Sequence, residues 1–164
     1  MTGQPDPAAL VTQFSDSTRR METLSHLEAL GETALPAVRA GLKHSDWHVR
    51  HWCAIYFDRG ADAESLLELV PLLRDPEPQV RLWAIHSISC EHCKDYACPI
   101  DVVPLLIERA ELDPVTRVRK MAVAMLGSLP PDPRIPAALA RVLARESDRK
   151  LRLHATIGLN RYPR

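Results

Sequence analysis

Leu72-Leu73-Arg74-Asp75-Pro76-Glu77-Pro78-Gln79-Val80-Arg81-Leu82-Trp83-Ala84 decides the fold. It closes one apolar run, inserts an acidic turn with two prolines, and opens a second apolar run. The phrase recurs. Val49-Arg50 with Cys53-Ala54, Val80-Arg81 with Ala84-Ile85, Val118-Arg119 with Ala122-Val123, and Leu151-Arg152 with Ala155-Thr156 align on one pattern, with anchors 31, 38 and 33 residues apart. A period in this range marks an array of small supersecondary units.

A turn cluster precedes each anchor: Ser45-Asp46, Asp75 to Pro78, Asp113-Pro114 and Ser147-Asp148. Each turn follows an apolar run that holds a proline near its start or middle: Pro36, Pro71, Pro104 and Pro136. Each unit therefore reads as helix A, tight turn, helix B. The turn Asp or Ser can cap the first NH groups of helix B, and an early proline forfeits no needed donor. Counted from the anchor, positions 0, +4, +5 and +8 of every B helix form an apolar stripe with a small residue at +4. A helix pair with a single apolar face cannot bury it alone, so the pairs must stack. Strand signals are nearly absent. The expectation is an all-α solenoid of about five helical pairs.

Residues 7–31 fit an atypical first unit, with helices near 7–14 and 17–30, Asp16 or Ser17 as cap and Gly31 closing the second helix. The further units are expected at 32–60, 61–93, 99–130 and 134–162, all in one domain spanning 7–164, after a disordered stretch at 1–6. The chain's 164 residues suit one domain and can bury a core without disulfides or metal. Basic and acidic residues balance at 21 each, so whole-molecule steering toward a polyanion is not indicated. From Arg134 onward, however, eight Lys/Arg face only Glu146 and Asp148. No secretory leader or membrane-length apolar run is visible, so the expected compartment is cytoplasmic, where clustered thiols stay reduced.

The Leu72–Ala84 phrase and its repeats resemble HEAT repeats of the short bacterial, lyase-like type, over about residues 32–162. The resemblance implies a right-handed α-solenoid with A helices on the convex side and B helices lining the concave side. It constrains function weakly, since such arrays serve as scaffolds, as peptide or nucleic-acid binders and occasionally as enzymes.

Two stripes carry candidate function. The +1 arginines, Arg50, Arg81, Arg119 and Arg152, form a ladder; the reading favoured here is structural, each guanidinium bridging to turn acids such as Asp75 and Asp113, over an anion-binding stripe. Positions +3, +6, +7 and +10 are assigned to the concave face. There Trp52, Tyr56, Trp83, Met121, Met125 and His154 give a polarisable surface suited to a peptide or helix, unless they pack between repeats. Cys53 falls at a core position, His48 and His51 are expected to face solvent, and Trp47 is expected to cover a neighbouring helix end.

The longest spacing contains three of the four cysteines. His86-x3-Cys90-x2-Cys93-x4-Cys98 offers an imidazole and three thiolates, a set suited to structural tetrahedral zinc, with His92 as substitute for His86. An iron–sulfur cluster, a Cys90–Cys93 redox disulfide and metal-free thiols are the alternatives. No Ser/His/Asp set, phosphate loop or paired-carboxylate motif is visible. The sequence leans toward a non-enzymatic module that binds a protein or peptide. Nucleic-acid binding through Arg141, Arg145, Arg149, Lys150, Arg152 and Arg161 is the alternative, and a bilin-lyase type enzyme or partner comes last.

Overall fold

The computed structural model describes residues 5–90 and 99–162. The described residues are helical with no strand: α1 (Pro7–Thr12), α2 (Arg20–Leu30), α3 (Leu35–Gly41), α4 (Trp47–Gly60), α5 (Ala63–Leu69), α6 (Pro78–Ser89), α7 (Val102–Leu112), α8 (Thr116–Ser128), α9 (Arg134–Arg145) and α10 (Arg149–Leu159). They form two compact units, Met1–Ser87 and Ile88–Arg164; α6 begins in the first and ends in the second.

In the first unit α1 packs on α3 and α3 on α5, which are A helices, while the B helices α2 and α4 pack on each other. The second unit repeats the logic: α7 against α9, α8 against α10, with α7–α8 and α9–α10 as the pairs within repeats. This is the stacking demanded by helices with one apolar face each, an all-α solenoid arrangement.

Local chemistry sets the helix boundaries. Asp46 accepts from the His48 amide at 2.9 Å and Asp148 from the Leu151 amide at 2.8 Å, so both cap a B helix. Asp75 plays the same part before α6, accepting from the Glu77 amide at 2.9 Å. Gly31 ends α2 with φ of +55°, a conformation that side-chain-bearing residues rarely adopt. Helix A of the third unit is divided: α5 stops at Leu69 and Val70–Arg74 continues as a 3-10 helix. Pro71 lies in that segment and has no amide to donate to an α-helical ladder.

Positions 0, +4, +5 and +8 are fully buried in α4, α6 and α8. In α10 the rule fails beyond Leu151 and Ala155. Thr156 is exposed, its hydroxyl donating to the Arg152 carbonyl at 2.9 Å, because no described helix lies beyond α10 to cover that side. Another difference lies at α2, which starts at Arg20 rather than near Ser17. Asp16 spends its carboxylate on the Thr18 amide and hydroxyl, at 2.9 and 2.8 Å, closing a turn instead of capping the helix.

A close helix approach falls at Gly127 of α8 and Gly158 of α10. A Cβ on Gly127 would stand 3.2 Å from the Gly158 Cα. The two backbones therefore meet directly, and α8 and α10 present one continuous outer surface.

Candidate functional site

A helix turns about 100° per residue, so positions −1, +2, +3, +6 and +10 of each B helix share one outward face. On α4 these are His48, His51, Trp52, Ile55 and Arg59; on α6 they begin with Gln79, Trp83 and His86, whereas Leu82 at +2 is buried. Trp52, Trp83, Met121 and His154, all at +3, are half-buried. Position +7 turns inward: Tyr56 is 3% exposed and its hydroxyl donates to the Gly31 carbonyl at 3.3 Å. Tyr56 instead helps line a cavity of about 520 Å³ with Glu28, Leu35 and Arg59. Met125, at the same position of α8, is half-buried.

The tryptophans are linked through an imidazole rather than stacked on each other. His51 meets Trp52 edge-on with ring centroids 6.1 Å apart and Trp83 at 6.3 Å. Trp52 stacks on the buried Phe14 at 5.7 Å, and Trp83 meets His86 at 5.3 Å. Trp47, at the first position of α4, stacks on His48 at 3.8 Å and meets His51 at 6.0 Å. The result is a strip of six partly exposed rings, Trp47, His48, His51, Trp52, Trp83 and His86.

The solvent-facing expectation for His51 is corrected: it sits between two indoles and one of its ring nitrogens lies 3.3 Å from the Gln79 carbonyl. Burial lowers its pKa below the ordinary 6.5. The unfolded chain takes up this proton at higher pH than the folded one, so the contribution to stability is intact above pH 6.5 and is lost as pH falls through the folded pKa. His51→Gln should flatten the decline in stability below pH 6.5, measured by urea unfolding across pH. An identical slope in the variant would rule His51 out as its source.

The ladder arginines are committed to protein groups. Arg50 clasps Asp75 with two bonds, 2.7 and 2.9 Å, and donates to the His44 and Ser45 carbonyls. Arg81 is buried and donates to the Asp75 carbonyl at 2.8 Å. Arg119 bonds Glu146 at 2.7 and 2.9 Å and the Asp113 carbonyl at 3.0 Å. Arg152 closes on the carbonyls of Leu143 and Glu146. Each occupies the bend between its own helix pair.

At the end of α6, the His86 Nδ1 lies 2.9 Å from Asp58 Oδ1. Asp58 is a buried acid at +9 of α4 that sequence reasoning missed; the signal was the single carboxylate of that helix, in its last turn. Asp58, His86 and Cys90 each offer one donor atom, and these atoms lie within 4.8 Å of one another. Cys93, Cys98 and His92 lie outside the described residues. Cys53 is a fully buried core thiol whose ionisation is pushed far up by burial.

Residues 66–160 match the sequence family described as HEAT repeats. The chain belongs to the HEAT-repeat family. A comparison with curated proteins gives no match. HEAT repeats generally serve protein interaction and scaffolding, and their stacked helices provide extended binding surfaces. No described helix of this HEAT-repeat protein is long and apolar enough to cross a membrane. Of the six C-terminal cations considered for nucleic acid, three are engaged: Arg141 with Glu111 at 2.8 Å, Arg152 as above, and Arg161 with the Gly127 carbonyl.

Proposed function

We propose that this HEAT-repeat protein is a non-enzymatic interaction module that binds a protein or peptide segment on the outward face of its B helices. The observation that carries the reading is the ring strip of α4 and α6. Large, half-buried aromatic side chains pre-set in fixed contacts lose little entropy on binding and bury much area, which is why Trp and Tyr dominate binding hot spots. The imidazoles between the indoles add donors and acceptors along the same line. The second part of the proposal is a structural zinc ion held by His86, Cys90, Cys93 and Cys98 where α6 ends. The His-x3-Cys spacing at a helix end and the Asp58 carboxylate on His86 support it. With Nδ1–H donated to Asp58, the Nε2 lone pair is left for a metal, the usual carboxylate–histidine–metal arrangement.

Peptides selected from a displayed random library on the immobilised chain test the binding face. Trp83→Ala should weaken the selected peptides by about 2 kcal/mol or more, roughly thirtyfold, with the melting temperature little changed. Trp83 is the residue to replace, because Trp52 also covers Phe14 in the core. Peptides that bind Trp83→Ala as tightly as the parent chain would place the binding surface elsewhere.

A further inference from the structure

The same helical positions have a different chemistry in the second unit. On α8 the outward face carries Arg117, Lys120, Met121 and Ala124; on α10 it carries Lys150, Leu153, His154 and Ile157. Arg117 and Lys150 occupy the −1 position of two helices that pack side by side. Lys120 and Leu153 share position +2, Met121 and His154 position +3, and Ala124 and Ile157 position +6. Leu153 and Ile157 are 57% and 55% exposed, among the largest apolar exposures in the described chain.

Neither α8 nor α10 contains an acidic residue. Arg119 and Arg152 are held by loop carbonyls and Glu146, whereas Arg117, Lys120 and Lys150 make no ion pair or hydrogen bond among the described residues. The carboxylates of the loop before α10 are taken: Glu146 pairs with Arg119 and Asp148 caps the Leu151 amide. Two of the three unpaired cations, Arg117 and Lys150, also lie in the first turns of their helices, where the helix dipole disfavours positive charge. The fold gains nothing from them there. Their common neighbours are aliphatic, so the patch combines unpaired positive charge with exposed hydrocarbon rather than being a uniformly basic stripe.

We propose that the α8–α10 face binds an acidic segment of a partner protein that also carries aliphatic side chains, with its carboxylates on Arg117, Lys120 and Lys150 and its apolar residues on Met121, Leu153 and Ile157. This rests on the outward B-helix face being a binding surface and adds the chemistry of what binds. Charge complementarity selects an acidic partner, and the aliphatic strip favours a peptide over a phosphate backbone, whose binding needs cations alone. A partner of this kind gains rate and register from the charges and holding power from the aliphatic contact.

The test uses the full chain and fluorescein-labelled amphipathic peptides with Glu and Leu at helical spacing, read by anisotropy. Binding should fall at least tenfold when the Glu residues become Gln, and equally when the Leu residues become Ser. In the protein, Arg117→Glu with Lys150→Glu, and separately Leu153→Ser with Ile157→Ser, should each cost at least tenfold. The charge-reversed variant should melt at the same temperature or higher, because acids suit the first turn of a helix, so lost binding cannot be ascribed to unfolding. No binding by the parent chain at millimolar peptide, or binding unmoved by either variant, overturns the proposal. So does equal binding of polyglutamate or single-stranded DNA with Leu153→Ser and Ile157→Ser silent, which would mark a plain polyanion surface. These outcomes leave the ring strip untouched: selected peptides lost on Trp83→Ala but kept on the charge-reversed variant would uphold the general binding face and refute the acidic partner alone.

Discussion

Asp75→Ala should be the most destabilising single substitution in the first turn-and-ladder region, lowering unfolding free energy by about 3–5 kcal/mol, the usual cost of removing one member of a buried ion pair. The carboxylate is nearly inaccessible, with 6% of its side chain exposed, and the Arg50 guanidinium retains only 13%. Deleting the acid leaves a half-desolvated cation whose other donors are already spent on the His44 and Ser45 carbonyls. It also releases the Glu77 amide at the start of α6, an N-terminal cap loss of about 1 kcal/mol. Replacing both members, Arg50→Met together with Asp75→Ala, strands no charge, so it should cost less than Asp75→Ala alone although it deletes more atoms. Asp75→Asn retains an acceptor for Glu77 but not the ion pair and should fall between the two. Urea unfolding of the three variants provides the order. An Asp75→Ala protein within about 1 kcal/mol of the parent would mean that the pair is solvated and adds little.

That ladder shows how much was readable beforehand. A recurring Val-Arg anchor after an acidic turn implied stacked helix pairs, because the period, the caps and the apolar stripe all pointed to one architecture. The core positions of α4, α6 and α8 followed from helical rotation alone. Where the sequence pattern could not help, the reason was a choice between neighbours of similar polarity. Helical spacing puts position +7 beside the outward face, yet Tyr56 points inward, because an angular difference of a few tens of degrees decides whether a ring meets solvent or the previous repeat. His51 resembled a surface residue in a polar stretch; only the two indoles beside it make its site semi-buried. Asp58 was invisible as a partner of His86 because the two lie 28 residues apart on different helices. The Gly127–Gly158 approach escaped too, since glycine within a helix can mark close packing or nothing at all.

The metal proposal carries the larger consequence for stability. Reduced protein purified without chelator should carry about one equivalent of zinc by elemental analysis, and Cys93→Ser should lose it. Because the donors bind metal only when the fold assembles them, binding free energy becomes folding free energy: free zinc at a thousandfold its dissociation constant adds about 4 kcal/mol. Stripping with chelator should therefore lower the melting temperature by many degrees, and zinc, but not magnesium, should restore it. Oxygen-seeking magnesium has little use for thiolates and an imidazole. Cobalt substitution reports the shell itself, since thiolate-to-cobalt charge-transfer bands scale with the number of cysteine ligands. Asp58→Asn then separates two roles. If the carboxylate orients His86 from outside the shell, the cobalt spectrum should keep its form while affinity falls by about 10–100-fold. If Asp58 is itself a ligand in place of a cysteine, the spectrum changes with the substitution, and the charge-transfer intensity of the parent protein is already that of fewer thiolates. Less than about a tenth of an equivalent of any transition metal in the parent protein would refute the site altogether, since a closed shell of three thiolates and an imidazole retains zinc through purification. Iron with labile sulfide in its place would assign the cysteines to a cluster instead.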